Sequence, residues 1–217
     1  AVAPAFTSFH TPPRLFAIGR FDVTKGFDVL LRACALLRDR GVSFRLTLAG
    51  GGGKALGLGG MGDRLHILRR DLGLETLVTM PGLVSHDALP DLLRAQDIFL
   101  APCVIDAATG MRDGIPNTVI EALSFGLPVI ATTVNALPEI VRHEETGLAV
   151  PPGDPEALAD AVQRLLASPD EARRLASAGF RLARDMFSPD ANARRLADLF
   201  LHAGDRPAPQ GTPSCVA

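Results

Sequence analysis

The sequence predicts an α/β protein in which a parallel sheet is covered by helices on both faces. Three observations carry that prediction. Strand-length apolar runs alternate with helix-length segments along the chain. The strand-length runs ("FAI", "LTLA", "IFLA", "VIAT") are continuously apolar rather than alternating, as expected of strands buried on both faces. With 47% hydrophobic and 21% charged residues over 217 positions, the composition is that of a globular chain, long enough for one large domain or two small ones.

The elements follow in order. Residues 1–13 hold three prolines and no periodicity, and are expected to be a linker. "RLFAIGR" (14–20) is a short buried strand ending in Gly-Arg. "TKGFDVLLRACALLRDRG" (24–41) places Phe27, Leu30, Leu31, Cys34 and Leu37 at helical spacing and closes on glycine. "SFRLTLAG" (43–50) is a second strand, followed by the glycine-rich "GGGKALGLGGMG". A helix ("DRLHILRRDLGL"), a strand ("LVTMPG"), a helix started by Ser85 ("SHDALPDLLRAQ") and a strand ("DIFLAP") come next. A short helix ending near Phe125 leads to "LPVIAT", then "LPEIVR", a short strand "GLAVPP" and a helix from Asp154. Two or three further helices reach about His202, so 14–202 reads as one domain, and 203–217 as a disordered tail.

The formal net charge of −2 argues against a nucleic-acid or anionic-membrane surface. No apolar run approaches the length of a membrane span, and the first residues lack the pattern of a signal peptide. Cys34, Cys103 and Cys215 form neither a disulfide framework nor a CxxC metal site, which points to a reducing, cytoplasmic setting.

In a parallel sheet of this kind, ligands bind at the carboxyl ends of the strands, near a switch in strand order. The polar oddities of the chain fall there: Gly19-Arg20, Lys25, the 50–62 glycines, Gly82-Leu83 and the stretch from Asp113 to Glu121. Gly50-x-Gly52-x-x-Ala55 and Gly57-x-Gly59-x-x-Gly62 match the dinucleotide fingerprint. Neither belongs to the opening strand-helix unit, and no acid ends the next strand, so a NAD site is disfavoured. Gly53-Lys54-Ala55 lacks the Ser or Thr of a Walker A loop, and there is no DxD motif for a metal-clamped diphosphate. Gly19, Gly51 and Gly52 instead read as places where backbone can approach a ligand closely.

Only two lysines occur, against twenty arginines, and Lys25 is expected in the first turn of its helix, where a cation is locally unfavourable. With Arg20 it makes a pair that could hold a diphosphate. Gly114, Ile115, Pro116, Asn117 and Thr118 lead into a helix whose free N–H groups could receive phosphate. Glu121 has two readings. Thr118-x-x-Glu121 fits a capping box, and a carboxylate here could also accept both hydroxyls of a ribose.

With those residues in place, "DGIPNTVIEALSFGLPVIAT" resembles the family-4 glycosyltransferases, retaining enzymes of the two-domain GT-B fold. Their hallmark is two acids around a Gly-x-Pro-Asn turn, followed by Glu-Ala and Gly-x-Pro-Val. "IGRFDVTKGFDVLLRA", "LAGGG", "MPGLV", "AQDIFLAP" and "LPEIVRHEETGLAVPPGDPEALADAV" add to the match, which covers about residues 14–201. The resemblance implies a Rossmann-like C-terminal half of a GT-B fold that binds a nucleoside-diphosphate sugar. On that basis Arg20 and Lys25 neutralise the donor diphosphate, and Glu121 holds the ribose. Asp113 contacts sugar hydroxyls, the backbone from Gly114 to Thr118 approaches sugar and phosphate, and Gly82, Leu83 and Val84 frame the base.

The implied reaction is transfer to an acceptor hydroxyl with retention, needing neither metal nor cofactor. The implied partner is an N-terminal acceptor domain, and the family leaves room for peripheral contact of the full enzyme with the inner face of the membrane. Three features depart from the family pattern: Asp rather than Glu at 113; the longer loop "CVIDAATGMR", whose extra acid Asp106 could also meet the sugar; and the missing N-terminal domain, so that this chain alone is expected to bind donor but hardly turn over. Three alternatives stand beside this reading: a non-catalytic nucleotide-sugar module, half of a sugar-nucleotide epimerase, and a NAD enzyme using the Gly50 loop.

Overall fold

The computed structural model describes residues 8–52, 60–112 and 114–201. Asp113, the Lys54 segment, the start of the expected linker and the expected tail lie outside the described residues.

Among the described residues, six strands form one parallel sheet: β1 (Arg14–Arg20), β2 (Arg45–Gly51), β3 (Val78–Thr79), β4 (Ile98–Ala101), β5 (Val129–Thr132) and β6 (Leu148–Val150). Their order is β3-β2-β1-β4-β5-β6. The chain therefore reverses its direction of travel across the sheet between β1 and β4, which opens a crevice at the carboxyl ends of those two strands. All six correspond to the apolar runs of the sequence, and β4 and β5 are buried at every position. Between and after the strands lie α1 (Phe27–Asp39), α2 (Met61–Asp71), α3 (Leu89–Arg94), α4 (Asn117–Ser124), α5 (Leu137–Ile140), α6 (Pro155–Ala167), α7 (Pro169–Phe187) and α8 (Pro189–Leu201).

The two faces of the sheet carry separate apolar clusters. Leu15 and Ala17 of β1 pack with Leu30, Leu31 and Leu37 of α1 and with Leu158, Val162 and Leu165 of α6. Phe16 points the other way, joining Leu93 of α3, Phe99 of β4 and Val119 and Leu123 of α4. This alternation explains why β1 is continuously apolar. Helix α7 links the layers, with Ala172 and Leu175 in the first cluster and Ala183 in the second. Gly179 lets it approach α4: a Cβ there would meet Leu123 Cδ2 at 2.5 Å and the Thr146 carbonyl oxygen at 2.9 Å.

Two elements differ from the sequence expectation. The segment 24–41 is not one helix. Val23–Lys25 form a 3-10 turn, and Gly26 interrupts it in the left-handed conformation (φ 62°) before α1 begins. The reason is tertiary, because a Cβ at Gly26 would lie 1.9 Å from the Pro102 carbonyl oxygen. Ser85 does start a helical segment, but a 3-10 turn (His86–Ala88) precedes α3, with the Ser85 hydroxyl accepting from Ala88 N. The described part of the expected linker is tied to the sheet by buried Asp97. Its Oδ2 accepts from the backbone N–H of His10 (3.0 Å) and of Arg14 (2.7 Å), and its Oδ1 lies 2.8 Å from His10 Nδ1. Among the described residues, no helix is long and apolar enough to cross a membrane.

Candidate functional site

The carboxyl ends of β1 and β2 are built from glycine because the strands' continuations run too close for side chains. Gly19 pairs with Gly50, and Arg20 with Gly51. Gly50 has φ 136°, and a Cβ on it would sit 1.9 Å from the Gly19 carbonyl oxygen. Beyond the strands, Phe21 N donates to Gly52 O at 3.1 Å, and Gly50 N donates to Gly82 O at 2.8 Å. The segment Gly82–Val84 is thereby held beside the glycine turn that ends β2. Leu83 lies over Gly51, its Cγ 3.3 Å from where a Cβ would be, yet it remains 80% exposed. An exposed leucine resting on backbone, beside a cluster of strand ends, is a ready surface for a flat apolar group. Val84 packs against the apolar cluster of α3 and α4.

Across the crevice, Lys25 follows from the 3-10 turn rather than from a helix. Its Cδ and Cε lie 3.3 Å from where a Cβ of Gly19 would be, so the aliphatic stem runs along the β1 backbone. The same side chain lines a pocket with Ile18, Pro102, Cys103, Pro116 and Thr118. This pocket joins the end of β1, the end of β4 and the N-terminus of α4. Two bonds fix its walls: Val104 N donates to Thr24 O (2.9 Å), and the buried Thr132 hydroxyl donates to Cys103 O (2.6 Å). Pro102 and Cys103 were not expected among the site residues, although their place directly after a buried strand was a signal for them.

Helix α4 begins at Asn117 with Pro116 as its N-cap, and no side chain caps it. Thr118 is therefore the second helical residue, and Glu121 falls two positions beyond the place a capping box requires. The half-buried Glu121 carboxylate makes no cap bond, which removes the capping alternative for this residue. Gly114 and Asn117 are exposed, while Ile115, Pro116 and Thr118 are half-buried at the mouth of the helix. Glu121 and Asn117 are not among the residues lining the Lys25 pocket. Arg20 is exposed at the end of β1, with its guanidinium 3.3 Å from Asp22 Oδ2.

Asp106 organises its own loop. It accepts from Ala108 N (3.0 Å) and from the Thr109 hydroxyl (2.6 Å), and these bonds hold its carboxyl below the ordinary aspartate range. Among the described residues, no group of three or more His, Cys, Asp or Glu side chains is placed to hold a metal ion. Cys34 and Cys103 are both buried and in no disulfide, and burial pushes the Cys34 thiol far above its ordinary pKa. The glycine turn that ends β2 thus contacts the Gly82–Val84 segment, while Lys25 and the start of α4 line one pocket beside β1 and β4.

Comparison with known proteins gives this arrangement relatives. Residues 12–168 match the family described as "Glycosyl transferases group 1". Over 157 residues the chain is 36% identical to the putative colanic acid biosynthesis glycosyltransferase WcaL of Escherichia coli, covering 72% of this chain and 36% of that protein. Over 193 residues it is 33% identical to the GDP-mannose-dependent alpha-(1-6)-phosphatidylinositol monomannoside mannosyltransferase of Mycobacterium tuberculosis, covering 89% of this chain and 48% of that one. Sucrose-phosphate synthase from Thermosynechococcus elongatus superimposes with a TM-score of 0.74 at 29% identity, over 94% of this chain and 51% of the synthase. The chain thus spans between 36% and 48% of the length of these curated relatives.

Proposed function

The chain belongs to the group 1 glycosyltransferases, and from that premise we propose that it is the donor-binding domain of an enzyme that transfers a sugar from a nucleoside-diphosphate sugar to an acceptor hydroxyl with retention of configuration. The observation that carries the reading is a pocket lined both by Lys25, from the 3-10 turn after β1, and by Pro116 and Thr118, at the start of α4, across the switch in strand order. Lys25 and the first turn of α4 border this pocket together, and a cation beside a helix N-terminus suits a leaving group that gains negative charge. The dependence of the mycobacterial relative on GDP-mannose supports a nucleotide sugar as donor.

In this proposal Arg20 and Lys25 carry the charge of the diphosphate, work that a metal ion does in other transferases. Arg20 can grip two oxygens at once. Glu121, free of any capping role, accepts the two ribose hydroxyls. Leu83, with Gly82 and Val84, frames the base, and the Gly51-Gly52 backbone lies beside it. Asp113 contacts the sugar hydroxyls, with Gly114 and Ile115 beside it. The bond between the sugar's anomeric carbon and the diphosphate oxygen breaks as the acceptor oxygen bonds to the same face. The acceptor's proton passes to the departing phosphate. The acceptor is held by a further, N-terminal domain. The proposed setting is the cytoplasm, with peripheral contact of the complete enzyme with the inner face of the membrane.

A thermal-shift series with UDP, GDP, ADP and NADH, on wild type and Lys25→Ala, tests this. A ligand at about 100 times its Kd stabilises by roughly 2.7 kcal/mol. At about 2–4 °C per kcal/mol, that moves the midpoint by roughly 5–11 °C. The expected result is a shift with one nucleoside diphosphate that shrinks in Lys25→Ala. A shift with NADH alone, or equal diphosphate shifts in both proteins, refutes the proposal.

A further inference from the structure

Asp22 stands between the two cations assigned to the diphosphate, two residues from Arg20 and three from Lys25. A negative charge there opposes an anionic ligand, so its presence asks for a physical reason. Its hydrogen bonds supply one. The Thr24 hydroxyl donates to Asp22 Oδ1 at 2.6 Å, and Arg20 lies 3.3 Å from the other oxygen, Oδ2. Thr24 is itself fixed: it is only 4% exposed, and its carbonyl accepts from Val104 N at 2.9 Å. The backbone closes the same small ring, because Asp22 N donates to Arg20 O at 2.9 Å. A buried hydroxyl therefore sets the carboxylate, and the carboxylate meets an arginine that is otherwise 72% exposed. A long side chain in water samples many rotamers, and ordering it at the moment of binding weakens affinity. Only one edge of the guanidinium fork is occupied by Asp22, and the remaining N–H groups stay available to phosphate oxygens.

We propose that Asp22, pinned by the buried Thr24 hydroxyl, is a positioning residue that holds the Arg20 guanidinium in place for the donor diphosphate. The inference rests on the donor-site reading above. It separates Asp22 from Arg20 and Lys25, which touch the ligand themselves.

The test compares UDP with UMP, and GDP with GMP, by titration calorimetry on wild type, Asp22→Ala, Thr24→Val, Thr24→Ser, Arg20→Ala and the Asp22→Ala/Arg20→Ala double variant. Exposed ion pairs of this kind correspond to a change of up to roughly fivefold in affinity. Asp22→Ala is expected to weaken the diphosphate by about that factor and to leave the monophosphate nearly unchanged. Thr24→Val should follow it, Thr24→Ser should restore binding, and the Asp22 effect should vanish when Arg20 is already alanine. Tighter diphosphate binding by Asp22→Ala would overturn the inference, since the acid would then only repel the ligand. Equal weakening of mono- and diphosphate, or an undiminished Asp22 effect in the Arg20→Ala background, would also overturn it by showing a structural role. If Arg20→Ala itself leaves diphosphate affinity intact, the donor-site reading fails and this inference falls with it. If Arg20→Ala weakens binding and Asp22→Ala does not, only the inference falls.

Discussion

Gly26→Ala is the substitution whose cost the geometry defines most closely. Gly26 has φ 62° and ψ 28°, and a Cβ on it would lie 1.9 Å from the Pro102 oxygen and 3.2 Å from Val104 Cγ1. Gly41, which follows α1, is also left-handed at φ 73°, but nothing lies within 4 Å of its Cβ position. The pair therefore separates backbone strain from collision. The left-handed conformation costs an alanine about 1–2 kcal/mol, of which roughly 0.4–1 kcal/mol is regained by restricting the unfolded chain. Gly41→Ala should therefore lose about 0.5–1 kcal/mol. Gly26→Ala adds overpacking against a backbone carbonyl, about 1–3 kcal/mol, for a total near 3 kcal/mol. At about 2–4 °C per kcal/mol, its Tm should fall by roughly 6–12 °C and that of Gly41→Ala by a few degrees. Thermal denaturation followed by circular dichroism reads both. Because Lys25 precedes Gly26 and lines the pocket with Pro102, diphosphate affinity should drop in Gly26→Ala alone. Equal Tm losses in the two variants would refute the claim that β4 closes against this glycine.

Three further outcomes are expected. Glu121→Ala should leave stability within about 0.5 kcal/mol of wild type, because the carboxylate caps nothing. It should weaken nucleotide binding about tenfold, as the loss of a charged hydrogen bond does, and unchanged affinity in a calorimetric titration would rule out the ribose contact. Asp97→Ala strips the acceptor from the N–H groups of His10 and Arg14, and should cost about 2–4 kcal/mol by chemical denaturation. A loss under about 0.5 kcal/mol would show that the chain ahead of β1 is not anchored there. Glu144 accepts from Arg164 at 2.6 Å, which holds its carboxyl below the ordinary value of 4.5. A depressed folded pKa means that this contribution is complete above pH 4.5 and is lost as pH falls through the folded value. Glu144→Gln should therefore flatten the acid limb of the Tm–pH curve, and a parallel limb would exclude Glu144 as its source.

Much of the molecule was legible because its signals are local. Continuous apolar runs such as Ile98–Ala101 mark strands with both faces covered, and the Asp154 cap and the spacing of Leu30, Leu31 and Leu37 mark helices, whatever their neighbours do. The same local reading located the strand-end glycines, Arg20, Lys25 and the Gly114–Glu121 stretch. It failed where two distant segments touch. A glycine within helical periodicity looks tolerable at Gly26 until the Pro102 carbonyl is placed against it. Thr118 looked like a cap because Thr-x-x-Glu is a local pattern, whereas the actual N-cap of α4 is Pro116. The role of Asp22 depends on a hydroxyl whose burial no spacing reveals.

By itself, then, the sequence determined the α/β class, the succession of six strands and the glycines and cations gathered at the strand ends, since hydrophobic period and residue chemistry belong to short segments. Only the tertiary structure decided the strand order that places β1 beside β4, the 3-10 turn carrying Lys25, and the meeting of Lys25 with the start of α4. Those depend on close contact between segments some ninety residues apart, and such contact is governed by excluded volume and burial across the whole core.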